Sequence, residues 1–175
     1  MPDINGIPYV ESDDLVSAYP SVSQSLAQEV SDQLAAKLDL AGGKILQIVR
    51  ATDSTSRSTT STSYVDVTGM SVTITPQKSD SAVLLVCTVQ LSPAGGWLTF
   101  LQITDSSNNG ISGAQDNRYG INTGSEQRAV TLMAYSTPAT TSATTYKLRF
   151  KTQSGTTAIN NDFSTGQMFA IEVSA

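Results

Sequence analysis

Residues 144–152 read TTYKLRFKT, and within them Tyr146, Leu148 and Phe150 alternate with Lys147, Arg149 and Lys151. A period of two puts the apolar trio on one side of a pleated strand and the cations on the other, so the stretch reads as a half-buried β-strand. The same alternation recurs near the C-terminus, where Phe169, Ile171 and Val173 interleave with Met168, Ala170 and Glu172. Ala82–Leu91 (AVLLVCTVQL) is apolar on nearly both faces, as suits a central strand or an oligomer interface. Further strands are expected at Lys44–Arg50, Tyr64–Thr75, Trp97–Thr104, Gln127–Ser136 and Gln167–Val173, with Gly69 marking a bulge or a split. TPQKSD (75–80), SPAGG (92–96) and SSNNG (106–110) punctuate these runs with turn chemistry. Thr52–Ser63 (TDSTSRSTTSTS) is low in complexity and reads as a mobile or edge-extended connection. The expected fold is mainly β: an antiparallel, jelly-roll-like β-sandwich over residues 44–175.

Upstream, residues 21–41 carry a helical pattern, with Ser21 and Ser23 after Pro20 as N-caps and Gly42–Gly43 as the stop. Val22, Leu26, Val30, Leu34 and Leu38 recur every fourth residue. That spacing drifts about 40° per step around the helix, and Ala27, Ala35 and Ala36 leave room for close approach. The stripe suits a short helical stalk over residues 21–43 that holds sister copies together; the alternative is a helix lying on its own β-domain. Residues 1–20 are broken by Pro2, Gly6, Pro8 and Pro20 yet carry Ile4, Ile7, Tyr9, Val10, Leu15, Val16 and Tyr19. An irregular lead this apolar is expected to dock onto another protein.

Composition narrows the function. The 175 residues include no histidine, which removes the commonest general base and metal ligand near neutral pH. Charged residues make up 14%, well under the roughly 25% of ordinary soluble domains, and Ser, Thr, Asn and Gln supply the polarity instead. Net charge is −5 and the ten basic residues are scattered, so a nucleic-acid partner is not expected. The one cysteine, Cys87, sits in an apolar run and reads as a buried, inert thiol; no intrachain disulfide or cysteine zinc site follows from it. The N-terminus MPDINGIPYVESDDL has neither the basic nor the apolar region of a secretion signal, and no run is long enough to span a membrane, so synthesis in a cytoplasm is expected.

Asp105-x-Ser107-x-Asn109-Gly110 with Asp116 in the twelfth position matches the spacing of a calcium loop, but it lacks flanking helices, and Asn109-Gly110 is more simply a turn. Asp105, Asp116, Glu126 and Asp162 offer carboxylates for glycoside hydrolysis, with nothing to fix their separation. No serine has a histidine partner, and no phosphate loop occurs. Trp97, Tyr119, Tyr135 and Tyr146 are candidate sugar-stacking aromatics; Trp97 and Tyr146 alternate with core residues and read as buried, and Tyr119 reads as an exposed loop aromatic. The loop candidates for ligand recognition are Asp105, Asn108, Asn109, Asp116, Asn117, Arg118, Tyr119 and Asn122, with Asn160–Asp162 as a second loop.

Several stretches together resemble a module of bacteriophage tail-fibre and virion-surface proteins. They are GKILQIV (43–49), TSYVDVTGMSVTITP (62–76), KSDSAVLLVCTV (78–89), STPATTSATTYKLRF (136–150) and QMFAIEVSA (167–175), preceded by INGIPYVESDDLVSAYPSVSQSLAQEV (4–30). The resemblance implies a homotrimeric appendage, made in a host cytoplasm and carried on the virion surface. Residues 1–20 would dock it to other virion proteins of tail, baseplate or capsid, and the β-domain would point outward to a host glycan or protein receptor. It implies no catalytic motif, cofactor or metal. The expected function is thus a non-enzymatic, short tail fibre or spike for host attachment. The alternatives are a capsid decoration protein that stabilises the shell and, as the remotest, a glycan-degrading tailspike.

Overall fold

A computed structural model describes residues 19–39, 43–93, 98–120 and 127–174. The chain divides into two units, Met1–Gly42 and Gly43–Ala175.

In the first unit a helix, α1, runs over Tyr19–Asp39. It begins two residues before the expected start. Pro20 lies in its first turn, where a missing N–H leaves no hydrogen bond unmade. Ser21 and Ser23 are therefore inside the helix rather than capping it, and the Ser21 carbonyl accepts from Ser25 Oγ at 3.0 Å. Gln28 to Asp32 and Gln33 to Glu29 add side-chain hydrogen bonds one turn apart.

The second unit is built from ten strands: β1 (Ile45–Asp53), β2 (Arg57–Thr59), β3 (Val65–Ile74), β4 (Ala82–Pro93), β5 (Thr99–Asp105), β6 (Asn117–Tyr119), β7 (Arg128–Ser136), β8 (Thr144–Thr152), β9 (Thr157–Ile159) and β10 (Gly166–Val173). All pairings are antiparallel. One sheet follows β1-β10-β4-β7, and β9 and β2 extend it past the end of β10; the other follows β3-β8-β5-β6. With β2 and β9 set aside, two four-stranded sheets in this order are the jelly roll expected from the sequence.

The core lies between the sheets. Tyr146, Leu148 and Phe150 point into it, as their alternation requires, and meet Leu101 and Ile103 of β5 and Val83, Leu85, Cys87 and Val89 of β4. β4 lies between β10 on one edge and β7 on the other. Its Val83, Leu85, Cys87 and Val89 face the core, and Leu84 and Val86 lie on the outer side of the sheet, so the strand is apolar on both faces although the core covers only one. In β3 the pairing is irregular: the strand advances from Asp66 to Ser71 while β8 moves only from Arg149 to Lys147. Gly69 sits in this bulge with φ +89°, and the extra residues return Met70, Val72 and Ile74 to the core side. The low-complexity Thr52–Ser63 supplies the end of β1 and the edge strand β2, which bears out an edge-extended connection.

The C-terminal alternation faces the opposite way from hydrophobic intuition. Met168, Ala170 and Glu172 are buried, and Phe169, Ile171 and Val173 lie on the outer side of the sheet. Glu172, fully buried, accepts hydrogen bonds from Gln47 Nε2 (2.6 Å), Ser81 Oγ (2.6 Å) and the backbone N–H groups of Gln77 (2.7 Å) and Lys78 (3.3 Å). Desolvation opposes the charge of Glu172, but these four donors outweigh it and hold the pKa below the ordinary glutamate value. A buried carboxylate thus ties the 75–81 turn to β1 and β10.

Candidate functional site

Across the β3-β8-β5-β6 sheet, strand register assembles a row of alternating aromatics and cations. Lys151 pairs with Phe100, and Phe100 pairs with Arg118. Tyr64, next to the Val65–Phe150 pair, extends the row at the far edge. Neighbouring strands lie about 4.8 Å apart, so four positions span roughly 14 Å. The Lys151 ammonium lies 4.4 Å from the Tyr64 ring centroid and 4.8 Å from that of Phe100, and the Arg118 guanidinium lies 5.5 Å from the Phe100 centroid. Tyr64 donates its hydroxyl to Asp116 at 2.6 Å, and Arg118 reaches the other Asp116 oxygen at 3.1 Å. One and two rows down β8, Arg149 and Lys147 share Asp66 at 2.7 and 3.0 Å.

The titrating groups serve as fixed charges. The hydrogen bond from the Tyr64 hydroxyl holds Asp116 below the usual carboxylate range; slight desolvation opposes it, and Arg118 reinforces it. Asp66 is also lowered: desolvation works against its charge, and the hydrogen bonds from Lys147 and Arg149 win. Burial, reinforced by its bond to Asp116, raises the pKa of Tyr64, which stays a proton donor. Carboxylates held ionised in this way are counterions at neutral pH rather than general acids.

The expected recognition residues divide. Asp105, Asn108 and Asn109 form the turn after β5: Asp105 accepts from the N–H groups of Ser107 (2.8 Å) and Asn109 (2.9 Å) and from Asn109 Nδ2 (2.8 Å). Asn108, with φ +70°, accepts from Lys147 Nζ at 2.8 Å, so this turn joins the cationic face. A turn closed by its own aspartate accounts for the calcium-like spacing. Asp116 and Arg118 belong to the face as well. Asn117 and Tyr119 do not: Asn117–Tyr119 is a short edge strand rather than a loop, and Tyr119 packs against the core, which corrects its expected exposure. Asn122, Glu126 and Trp97 lie outside the described residues. Tyr146 is buried as expected and donates to Ser136 Oγ at 2.9 Å. In the second loop, Asn161 is buried with its amide on Asp53 at 3.1 Å, and Asp162 accepts from Ser56. Sequence reasoning missed Tyr64, Phe100, Lys147, Arg149 and Lys151, whose outward alternation was visible but whose partners lie on other strands.

The outer face of the other sheet is apolar at one end. Ile48, Ile171, Leu84 and Tyr135 form one row across β1-β10-β4-β7; Arg50, Phe169, Val86 and Met133 form the next, with Arg50 5.7 Å from the Phe169 ring centroid. Ile48, Met133 and Tyr135 are 57%, 57% and 55% exposed. The third row, Thr52, Gln167, Thr88 and Thr131, is polar. A recess of about 230 Å³ lined by Leu84, Ser112, Gly113, Met133, Ala134 and Tyr135 opens at the β7 edge of the apolar rows.

In α1, Val22 and Leu26 are half-buried, and Val30 and Leu34 are 50% and 59% exposed. The side chains of Tyr19 and Leu38, and residues Ile4, Ile7, Tyr9, Val10, Leu15 and Val16, lie outside what is described.

The β-domain thus belongs to the jelly-roll class of sandwiches, with one apolar and one cationic outer face. Among solved structures, the chain is similar to a chain of the T13 particle of infectious bursal disease virus, at 13% identity and TM-score 0.44; the match covers 77% of this chain and 37% of that one. It is also similar to a chain of the Gx strain of that virus, at 14% identity and TM-score 0.39, with 77% and 38% covered. Well under half of either viral chain is spanned. No protein-family model and no curated protein matches the sequence.

Proposed function

We propose that this chain is a non-enzymatic structural protein of a virion surface, a homotrimer anchored through its N-terminal segment and displaying the jelly roll for host attachment. The observation that carries the reading is the pair of apolar rows on the β1-β10-β4-β7 sheet. A two-layer sandwich needs only its inner faces apolar, and a contiguous outer patch is characteristic of an interaction surface. Sister copies are the occupant proposed, because α1 carries a second exposed apolar stripe, Val30 and Leu34, suited to the same assembly. Trimerisation would leave the cationic face of the opposite sheet turned outward. The sequence resemblance to phage tail-fibre and virion-surface proteins points the same way.

A shell-decorating subunit is the second reading, favoured by the strand order itself, since jelly rolls build viral shells as well as lectins. There the apolar rows would seat on the shell. Labelled antibody on purified particles, viewed by electron microscopy, tests both: label at the tail supports attachment, label over the head supports decoration, and label absent from particles rejects a virion role.

A further inference from the structure

The four cations of the β3-β8-β5-β6 face, Lys147, Arg149, Lys151 and Arg118, stand against three carboxylates, Asp66, Asp105 and Asp116, in a chain whose net charge is −5. The excess is concentrated in one row. Lys151 is flanked by two rings and has no carboxylate within 4.0 Å among the described residues. Arg118 is 65% exposed and directs Nε and Nη2 to Asp116, its one hydrogen-bonding partner among the described residues. An ammonium held between two aromatic faces is already immobilised, so a ligand anion meets it without the usual ordering cost. A guanidinium beside it offers the planar donor geometry that carboxylates favour.

We propose that the Tyr64–Lys151–Phe100–Arg118 row binds the carboxylates of an acidic polysaccharide, with Lys151 and Arg118 as the anion contacts. The proposal deepens the attachment half of the reading above and rests on it. Arg149 and Lys147, about 7 and 13 Å along β8, are held by Asp66, and Lys147 also by Asn108, so the row itself, roughly 14 Å across four strands, is the surface left to meet a polymer of charged sugars. A polyuronate carries its charges more sparsely than the one per 1.7 Å of duplex DNA, and so suits a face with so few cations on an acidic protein.

The test uses the full chain with polygalacturonate, the same polymer with its carboxylates reduced to alcohols, and single-stranded DNA, followed by titration calorimetry. Binding is expected for polygalacturonate only, weakening with added salt. Lys151→Met and Arg118→Gln should each weaken it roughly tenfold, and Lys151→Arg should retain most of it. Thermal melts unchanged from the parent show that the variants fold. The proposal is overturned if the parent does not bind polygalacturonate, if the reduced polymer or the DNA binds as well, or if the folded variants bind like the parent. Light scattering on the same samples reports copy number separately, so a trimer that ignores the polymer sinks this site and leaves the assembly reading standing.

Discussion

Leu84 and Tyr135 are register partners across β4 and β7, and both side chains lie on the outer side of the sheet, away from the core. Ile171 flanks Leu84 on the other edge and Ile48 lies beyond it, so four strands contribute to one apolar row. The sandwich gains nothing internally from this row. Tyr135→Glu in this row and Met133→Lys in the next place charge on exposed positions and are expected to convert the proposed trimer to single chains, read by sedimentation velocity. Because both positions are exposed, the melting of the separated chain should shift by no more than about 0.5 kcal/mol. Variants that stay associated would exclude this face from the assembly.

Glu172 links acid to stability. Its folded pKa is depressed, so its contribution is present above the unfolded value of about 4.3 and is lost as pH falls through the folded value. Glu172→Gln keeps the shape but removes the charged acceptor from four donors, and should cost roughly 2 kcal/mol or more at pH 7. The gap between parent and variant should narrow in melts at pH 3. A gap that is constant with pH would show that the charge is not what matters.

Gly69 and Gly43 separate backbone strain from crowding. Both have positive φ, +89° and +83°, but a Cβ on Gly69 would lie 2.6 Å from Asp53 Oδ1, whereas nothing lies within 4 Å of one on Gly43. Gly43→Ala should therefore cost about 1–2 kcal/mol from left-handed strain, and Gly69→Ala clearly more, since Asp53 also holds Arg57 at 2.6 Å. Urea midpoints compare the two; equal losses would remove the crowding argument.

Cys87 is fully buried, and desolvation pushes its thiol up to about 12. It should resist a water-soluble thiol reagent in the native protein and react fully in denaturant. Fast labelling of the native state would place it at an opening in the core.

Much of the fold was legible because long strands carry their own pattern: the alternation in residues 144–152 and the apolar run of 82–91 each fix a strand without reference to any other. The three-residue strands β2, β6 and β9 have too few positions to show a period, which is why Asn117–Tyr119 read as a loop. Direction was harder than periodicity. Phe169, Ile171 and Val173 are the more apolar half of their strand, and only the partners of Glu172 reveal that they face outward. The candidate site was least legible, since Tyr64, Phe100, Arg118 and Lys151 come from four separate segments and meet only through register.

The mass of the purified chain in solution, by size exclusion with light scattering, tests the central claim most directly. The expected result is a single species at three times the 18.4 kDa of one chain, stable on dilution through the micromolar range. A single chain of 18.4 kDa under those conditions, with the apolar rows of β1-β10-β4-β7 left open to solvent, would contradict it.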